Sequence, residues 1–210
     1  MKYILHTILL ISFISCAQKP IRNSYSIKQI SSDYPVIIRA DIYDNQVFRI
    51  QFPLVFEYTK SPLDKGRITS INYYYSKDHG KSYLDEISSN WLSRIWIYQI
   101  IDDKLVDKRL GASEEISQTE KFFPIEILGY TSHLVDTTKK TQDILRPYLE
   151  QIKARGVTQG KDTLSIGTFN EFKKMHPELT KILLEGDSIS FNIFNNENQM
   201  DTLIVLPIRY

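Results

Sequence analysis

Of the residues that usually announce chemistry, this chain has few. Cysteine occurs once in 210 residues, at Cys16, so no intramolecular disulfide can form. Histidine occurs four times and never as His-Glu-x-x-His or in a cluster, which leaves no metal site of three or four converging ligands to read from spacing. There is no Gly-x-Ser-x-Gly elbow to present a serine nucleophile. There is no phosphate-binding glycine loop either: Gly156 and Gly160 flank a polar turn that lacks the Lys-Ser/Thr step. No apolar run reaches the roughly 20 residues that a membrane-spanning helix needs. Charge of either sign is not in excess, since 26 Lys and Arg face 25 Asp and Glu. That balance excludes the basic surface on which nucleic acid would dock, and a long-range field to steer a charged ligand. No internal repeat is present. A catalytic group, a cofactor and a metal are therefore not expected.

What is present begins at the N-terminus. Residues 1–15 have the three parts of an export signal: Lys2 supplies positive charge, Ile4 to Ile14 is a short apolar stretch, and Ser15 is a small residue at its end. Phe13-Ile14-Ser15-Cys16 resembles the lipobox of bacterial lipoproteins, with Phe13 where Leu is usual. The resemblance implies that the Cys16 thiol receives a diacylglyceryl group and that a signal peptidase cuts before it. It also implies acyl chains, palmitate among them, that hold the mature protein on a membrane. Each buried methylene contributes roughly 0.8 kcal/mol, so two or three chains suffice for stable attachment. Acylation would also remove the reactivity of a lone exported thiol. Ala17, rather than Asp, follows the cysteine, and Gln18, Lys19 and Pro20 are not acidic. By the resemblance this points to the periplasmic face of a Gram-negative outer membrane. Removal of residues 1–15 takes away Lys2 and no acidic residue, leaving 25 basic and 25 acidic side chains.

The domain plan reads as a signal over 1–15, a lipidated tether over 16–34 and a globular domain over 35–210, with a lobe boundary near 109–121. The expected fold class is α+β, with an antiparallel, β-rich N-terminal half and helices plus a closing β-hairpin in the C-terminal half. Val36 to Ile42 and Val47 to Tyr58 flank the turn residues Asp44-Asn45. Arg67 to Tyr75, Arg94 to Ile101 and Lys104 to Lys108 are further β-favouring runs. Ile144, Leu145, Tyr148, Leu149 and Ile152 recur at helical spacing, with Pro147 either kinking that helix or opening it, and Gly156 stopping it. Thr163 to Ile166 forms a strand. Thr168-Phe169-Asn170-Glu171 is a capping box. The helices after it are expected to bury Phe169, Phe172 and Met175, then Leu179, Ile182 and Leu183, with Pro177 in a first turn and Gly186 as a stop. Ser188 to Phe194 and Met200 to Ile208 make the closing hairpin.

Three groups are candidate sites. Ser76, Asp78, Gly80 and Tyr83 match the Ser-x-Asp-x-Gly-x-x-aromatic pattern of the Asp-box, and the resemblance implies a structural β-hairpin turn. Trp91 and Trp96 bracket Ser93-Arg94 and offer an aromatic platform for a sugar or peptide, although tryptophans more often belong to a core. His79, His133 and His176 are expected as polar loop and helix-end residues, with His133 and Asp136 close enough to share a face. The functional expectation is a non-catalytic, membrane-tethered envelope lipoprotein. Its partners are the membrane, through the N-terminal lipid, and a protein or envelope polymer, as in immunity or inhibitor lipoproteins. The rival reading is a periplasmic hydrolase of cell-wall or glycan material that uses carboxylates such as Asp78, Glu86 or Asp136.

Overall fold

Alternation of apolar and polar side chains makes strands out of most of this chain, and what each strand buries decides its layer. The computed structural model describes residues 25–61, 64–76, 92–93, 96–101, 104–107 and 124–210. Strand β2 (Pro35–Asp41) pairs antiparallel with β3 (Gln46–Gln51) through a tight turn in which Asn45 takes a positive φ of 54°. The run after that turn is not one strand. It breaks at Phe52, and β4 (Pro53–Lys60) enters a different sheet. A proline at the break lacks the N–H that would continue the β3 ladder.

β4 is central. It pairs antiparallel with β1 (Tyr25–Ile30) on one side and β9 (Ile125–Tyr130) on the other, and β7 (Trp96–Ile101) and β8 (Lys104–Asp107) complete the first sheet in the order β1-β4-β9-β7-β8. Pro53 to Phe56 are buried without interruption because both faces of this sheet are covered. Leu54, Phe56 and Tyr58 face the main core with Ile125 and Ile127, whereas Val55 joins Leu128 and Tyr130 in a separate apolar cluster. The tether expected over 16–34 is therefore corrected at its C-terminal end; residues 16–24 lie outside the described ones. Tyr25–Ile30 is the edge strand of this sheet, and Ile27 is buried in the core. The β9 segment carries no turn or cap signal and had no expectation attached to it.

The second sheet has the order β10-β3-β2-β11, where β10 is His133–Leu134 and β11 is Lys161–Thr168. Helix α1 (Lys139–Ala154) lies against it, burying Leu145, Tyr148, Leu149 and Ile152. Its Gln142 amide substitutes for a missing ladder partner. Nε2 donates to the Val47 carbonyl at 2.8 Å and Oε1 accepts from the Val47 N–H at 3.0 Å, beside the bulge between β2 and β3. Pro147 stands inside this helix rather than in its first turn, and Gly156 ends it with φ +83°.

The capping box forms as expected at the start of α2 (Phe169–Met175). Thr168 Oγ1 accepts from the Glu171 N–H at 3.3 Å, and Glu171 Oε2 accepts from the Thr168 N–H at 2.7 Å. α3 (Pro177–Leu184) follows with proline in its first turn. Phe169, Phe172, Leu179, Leu183 and Leu184 are buried, but Met175 and Ile182 are at least half exposed. Two short helices joined at His176 do not share one continuous stripe, and this moves the inner face by one residue to Leu183-Leu184. Phe52 receives the rings of Phe169 and Phe172 at 5.5 and 5.6 Å, tying α2 to the crossing between the first two sheets. The third sheet is β13-β12-β5-β6, from Met200–Pro207, Ser188–Asn195, Gly66–Tyr74 and Leu92–Ser93. The edge-to-face pair Phe56–Phe191 joins it to the first sheet. Antiparallel sheets followed by helices and a closing hairpin make the fold class α+β. The lobe boundary near 109–121 lies outside the described residues.

Candidate functional site

The most polar point of the interior is where the three sheets meet. Asp187, in the turn between α3 and β12, is buried. Its Oδ2 accepts from the Tyr73 hydroxyl and its Oδ1 from the Ser76 N–H, both at 2.6 Å. His133 Nε2 lies 3.8 Å from Oδ2, within the same buried space. Two donors and a facing imidazole compensate for taking a carboxylate out of water. Burial, and then the Asp187 carboxylate, push the Tyr73 hydroxyl well above its ordinary pKa, so it stays a donor.

His133 is not the exposed polar residue expected from the sequence. It has no exposed surface, sits on β10 and is packed by Phe52, Tyr73 and Tyr75 with ring centroids 5.1 to 6.0 Å away. Asp136, expected near it, is exposed and caps a turn by accepting from the Thr138 N–H. Thr131 Oγ1 lies 3.1 Å from His133 Nε2 and 3.4 Å from the Phe52 carbonyl oxygen. Thr131 and Asp187 thus approach the same ring nitrogen. A nucleophile–histidine–carboxylate relay needs them on opposite nitrogens, with the hydroxyl open to substrate. Thr131 is fully buried. The group ties β5, β10 and the turn before β12 together, and the Thr131 hydroxyl is not placed as that relay requires.

The other sequence candidates are placed as follows. Ser76, the first residue of the Asp-box pattern, is the N–H donor to Asp187; Asp78, Gly80 and Tyr83 lie outside the described residues. His79, Glu86, Trp91 and Cys16 lie outside them as well. Trp96 opens β7 in register with Tyr130. His176 joins α2 to α3, and its Nε2 meets the Tyr148 hydroxyl at 2.7 Å; burial lowers its pKa from 6.5. Among the described residues no three His, Cys, Asp or Glu side chains converge as metal ligands. No helix there is long and apolar enough to cross a membrane.

A cleft of about 240 Å³ lies between β1, α2 and the last residues of the chain, lined by Ser32, Pro53, Phe169, Asn170, Lys173 and Arg209 among others. The Gln29 amide shapes one wall, donating to the Arg209 carbonyl at 2.9 Å and accepting from its N–H at 2.8 Å. Among its described lining residues there is no histidine and no acidic side chain, the groups that general acid–base hydrolysis would draw on.

The remaining distinctive surface is β13. It is the end strand of the third sheet and pairs with β12 without a bulge from Met200 to Pro207. Its outward side chains are Asp201, Leu203, Val205 and Pro207, with Leu203 59% and Val205 54% exposed. The residues beside Leu203 and Val205 on β12 and β5 are polar: Ser190, Asn192, Ser70 and Asn72. Comparison with known proteins adds nothing to this geometry: no protein-family model, no curated protein and no solved structure matches the chain. The sequence places Met200 to Ile208 in a hairpin and does not mark it as an interface. The available signal was Leu203-x-Val205-x-Pro207 with no Lys or Arg among the strand's residues.

Proposed function

We propose that this chain is a lipid-anchored lipoprotein of the bacterial envelope whose folded domain is a non-catalytic binding module. The anchor is Cys16, by its lipobox resemblance, and the address is the periplasmic face of the outer membrane. The observation that supports a binding role is the exposed apolar edge of β13. Native sheets usually protect a free edge with lysine, proline, a bulge or brevity. β13 has eight residues, no bulge and one proline at its very end. An extended segment added to such an edge gains main-chain hydrogen bonds, and alternate side chains give it selectivity.

Two measurements test the two halves. Palmitate labelling of the expressed chain should mark the wild type and not Cys16→Ser; label in that variant removes the anchor. Envelope proteins captured by the wild type should be lost with Val205→Lys and kept with Ser165→Lys on the edge strand β11. Identical capture by both variants would overturn the assignment of binding to β13.

A further inference from the structure

We infer that the occupant of the β13 edge is a second copy of this chain, paired antiparallel strand to strand about a two-fold axis at Ile204. The inference rests on the binding-module reading and names its partner. Direction comes first. The Ile208 N–H donates to the Asp187 carbonyl of the neighbouring turn at 3.0 Å. Main-chain groups alternate along an antiparallel strand, so even-numbered residues of β13 bond toward β12. The N–H groups of Asp201, Leu203 and Val205 therefore point to the open edge.

The sequence of the strand is self-complementary in one register. With Ile204 opposite its own copy, Leu203 stands opposite Val205 of the second copy and Val205 opposite its Leu203. Both pairs are of the hydrogen-bonded kind, and the four exposed side chains form one apolar cluster on the outer face. Asp201, the only charge in the strand, falls opposite the second copy's Pro207 and diagonal to its Arg209, a favourable pairing of opposite charges. Pro207 there accepts from the Asp201 N–H through its carbonyl; lacking an N–H of its own, it leaves the Asp201 carbonyl to solvent at the end of the ladder. Shifting the axis to Leu203 sets Asp201 against Val205. Shifting it to Val205 sets Leu203 against the proline and Asp201 against Arg209, whose N–H and carbonyl are already bonded to Gln29, so fewer main-chain bonds form. Neither gives the match that Ile204 gives.

The other long edges with described side chains lack this property. β1 exposes Ser26 and Lys28, and β11 exposes Lys161, Thr163 and Ser165. Isologous contacts of this kind close after two copies, so the product is a dimer joining two four-stranded sheets, not a filament.

The test uses the full chain, expressed with its own signal and solubilised in mild detergent. In the proposed register Ile204 forms a pair without hydrogen bonds, with Cα atoms about 4.5 Å apart, inside the range a disulfide accepts. Ile204→Cys should give an oxidant-dependent, reducible dimer at least tenfold more abundant than Ser165→Cys on β11 gives. Sedimentation should show twice the monomer mass for the wild type and monomer mass for Val205→Lys. Equal cross-linking by the two cysteine variants, or a monomeric wild type, overturns the dimer. A monomeric wild type that still loses its captured partner on Val205→Lys overturns self-pairing and leaves the binding-module reading in place; capture unaffected by that change removes both.

Discussion

At the scale of single residues, Asp187 is the most demanding position. The Tyr73 hydroxyl and the Ser76 N–H both depend on its carboxylate. Asp187→Ala would orphan two donors, each costing about 1–3 kcal/mol when buried without a partner. Urea denaturation should show a loss in that range or above it, and an unchanged midpoint would mean that water reaches this network. Thr168→Ala, which removes a helix cap at the surface, should cost only about 1 kcal/mol by the same measurement. His176 adds a dependence on pH. Burial lowers its folded-state pKa below the unfolded value of 6.5. The unfolded chain therefore binds the proton more readily, so this contribution is intact above pH 6.5 and is lost as pH falls below it. The Tyr148 hydroxyl meets the His176 Nε2 at 2.7 Å. The stability lost between pH 7 and pH 5 should be smaller in His176→Gln than in the wild type. An equal loss would assign the acid sensitivity elsewhere.

At the scale of elements, the paired short helices divide residues of similar hydrophobicity into two classes. Phe172 is fully buried beneath Phe52, whereas Ile182 is half exposed one residue before buried Leu183. Phe172→Ala should therefore cost about 3–5 kcal/mol through the cavity it leaves. Ile182→Ala should stay within about 0.5 kcal/mol, as surface changes do. Comparable losses would place Ile182 back in the core. The sequence marked where these helices begin and end, because Thr168, Glu171, Pro177 and Gly186 act on groups three or four residues away. It did not mark their inward face. The joint at His176 restarts the helical phase, and the apolar spacing of Phe169 to Leu183 fits a continuous stripe that the fold does not use.

At the scale of the whole molecule, β1 is what separates tether from domain. It pairs along its full length with β4, and Ile27 reaches the core. A chain begun at residue 35 should unfold at markedly lower urea than one begun at residue 25, since it exposes the edge of the central strand; equal midpoints would return residues 25–34 to the tether. Most strand runs, the turn residues, the helix caps and the closing hairpin were determined by the sequence itself, because each rests on periodicity or hydrogen bonds within a few neighbours; β1, β9 and the break at Phe52 were not. The expectation of a lipid at Cys16 is of the same local kind. Tertiary structure alone decided the rest. Tyr73 and Asp187 stand 114 residues apart in the chain, and nothing in the neighbourhood of either announces the other. His133 looks like a polar loop residue until Phe52, Tyr73 and Tyr75 close around it. Leu203 and Val205 look like ordinary core positions of a hairpin until the order of strands leaves them at an open edge. Burial and pairing are properties of what distant segments bring alongside, and a local pattern carries no information about that.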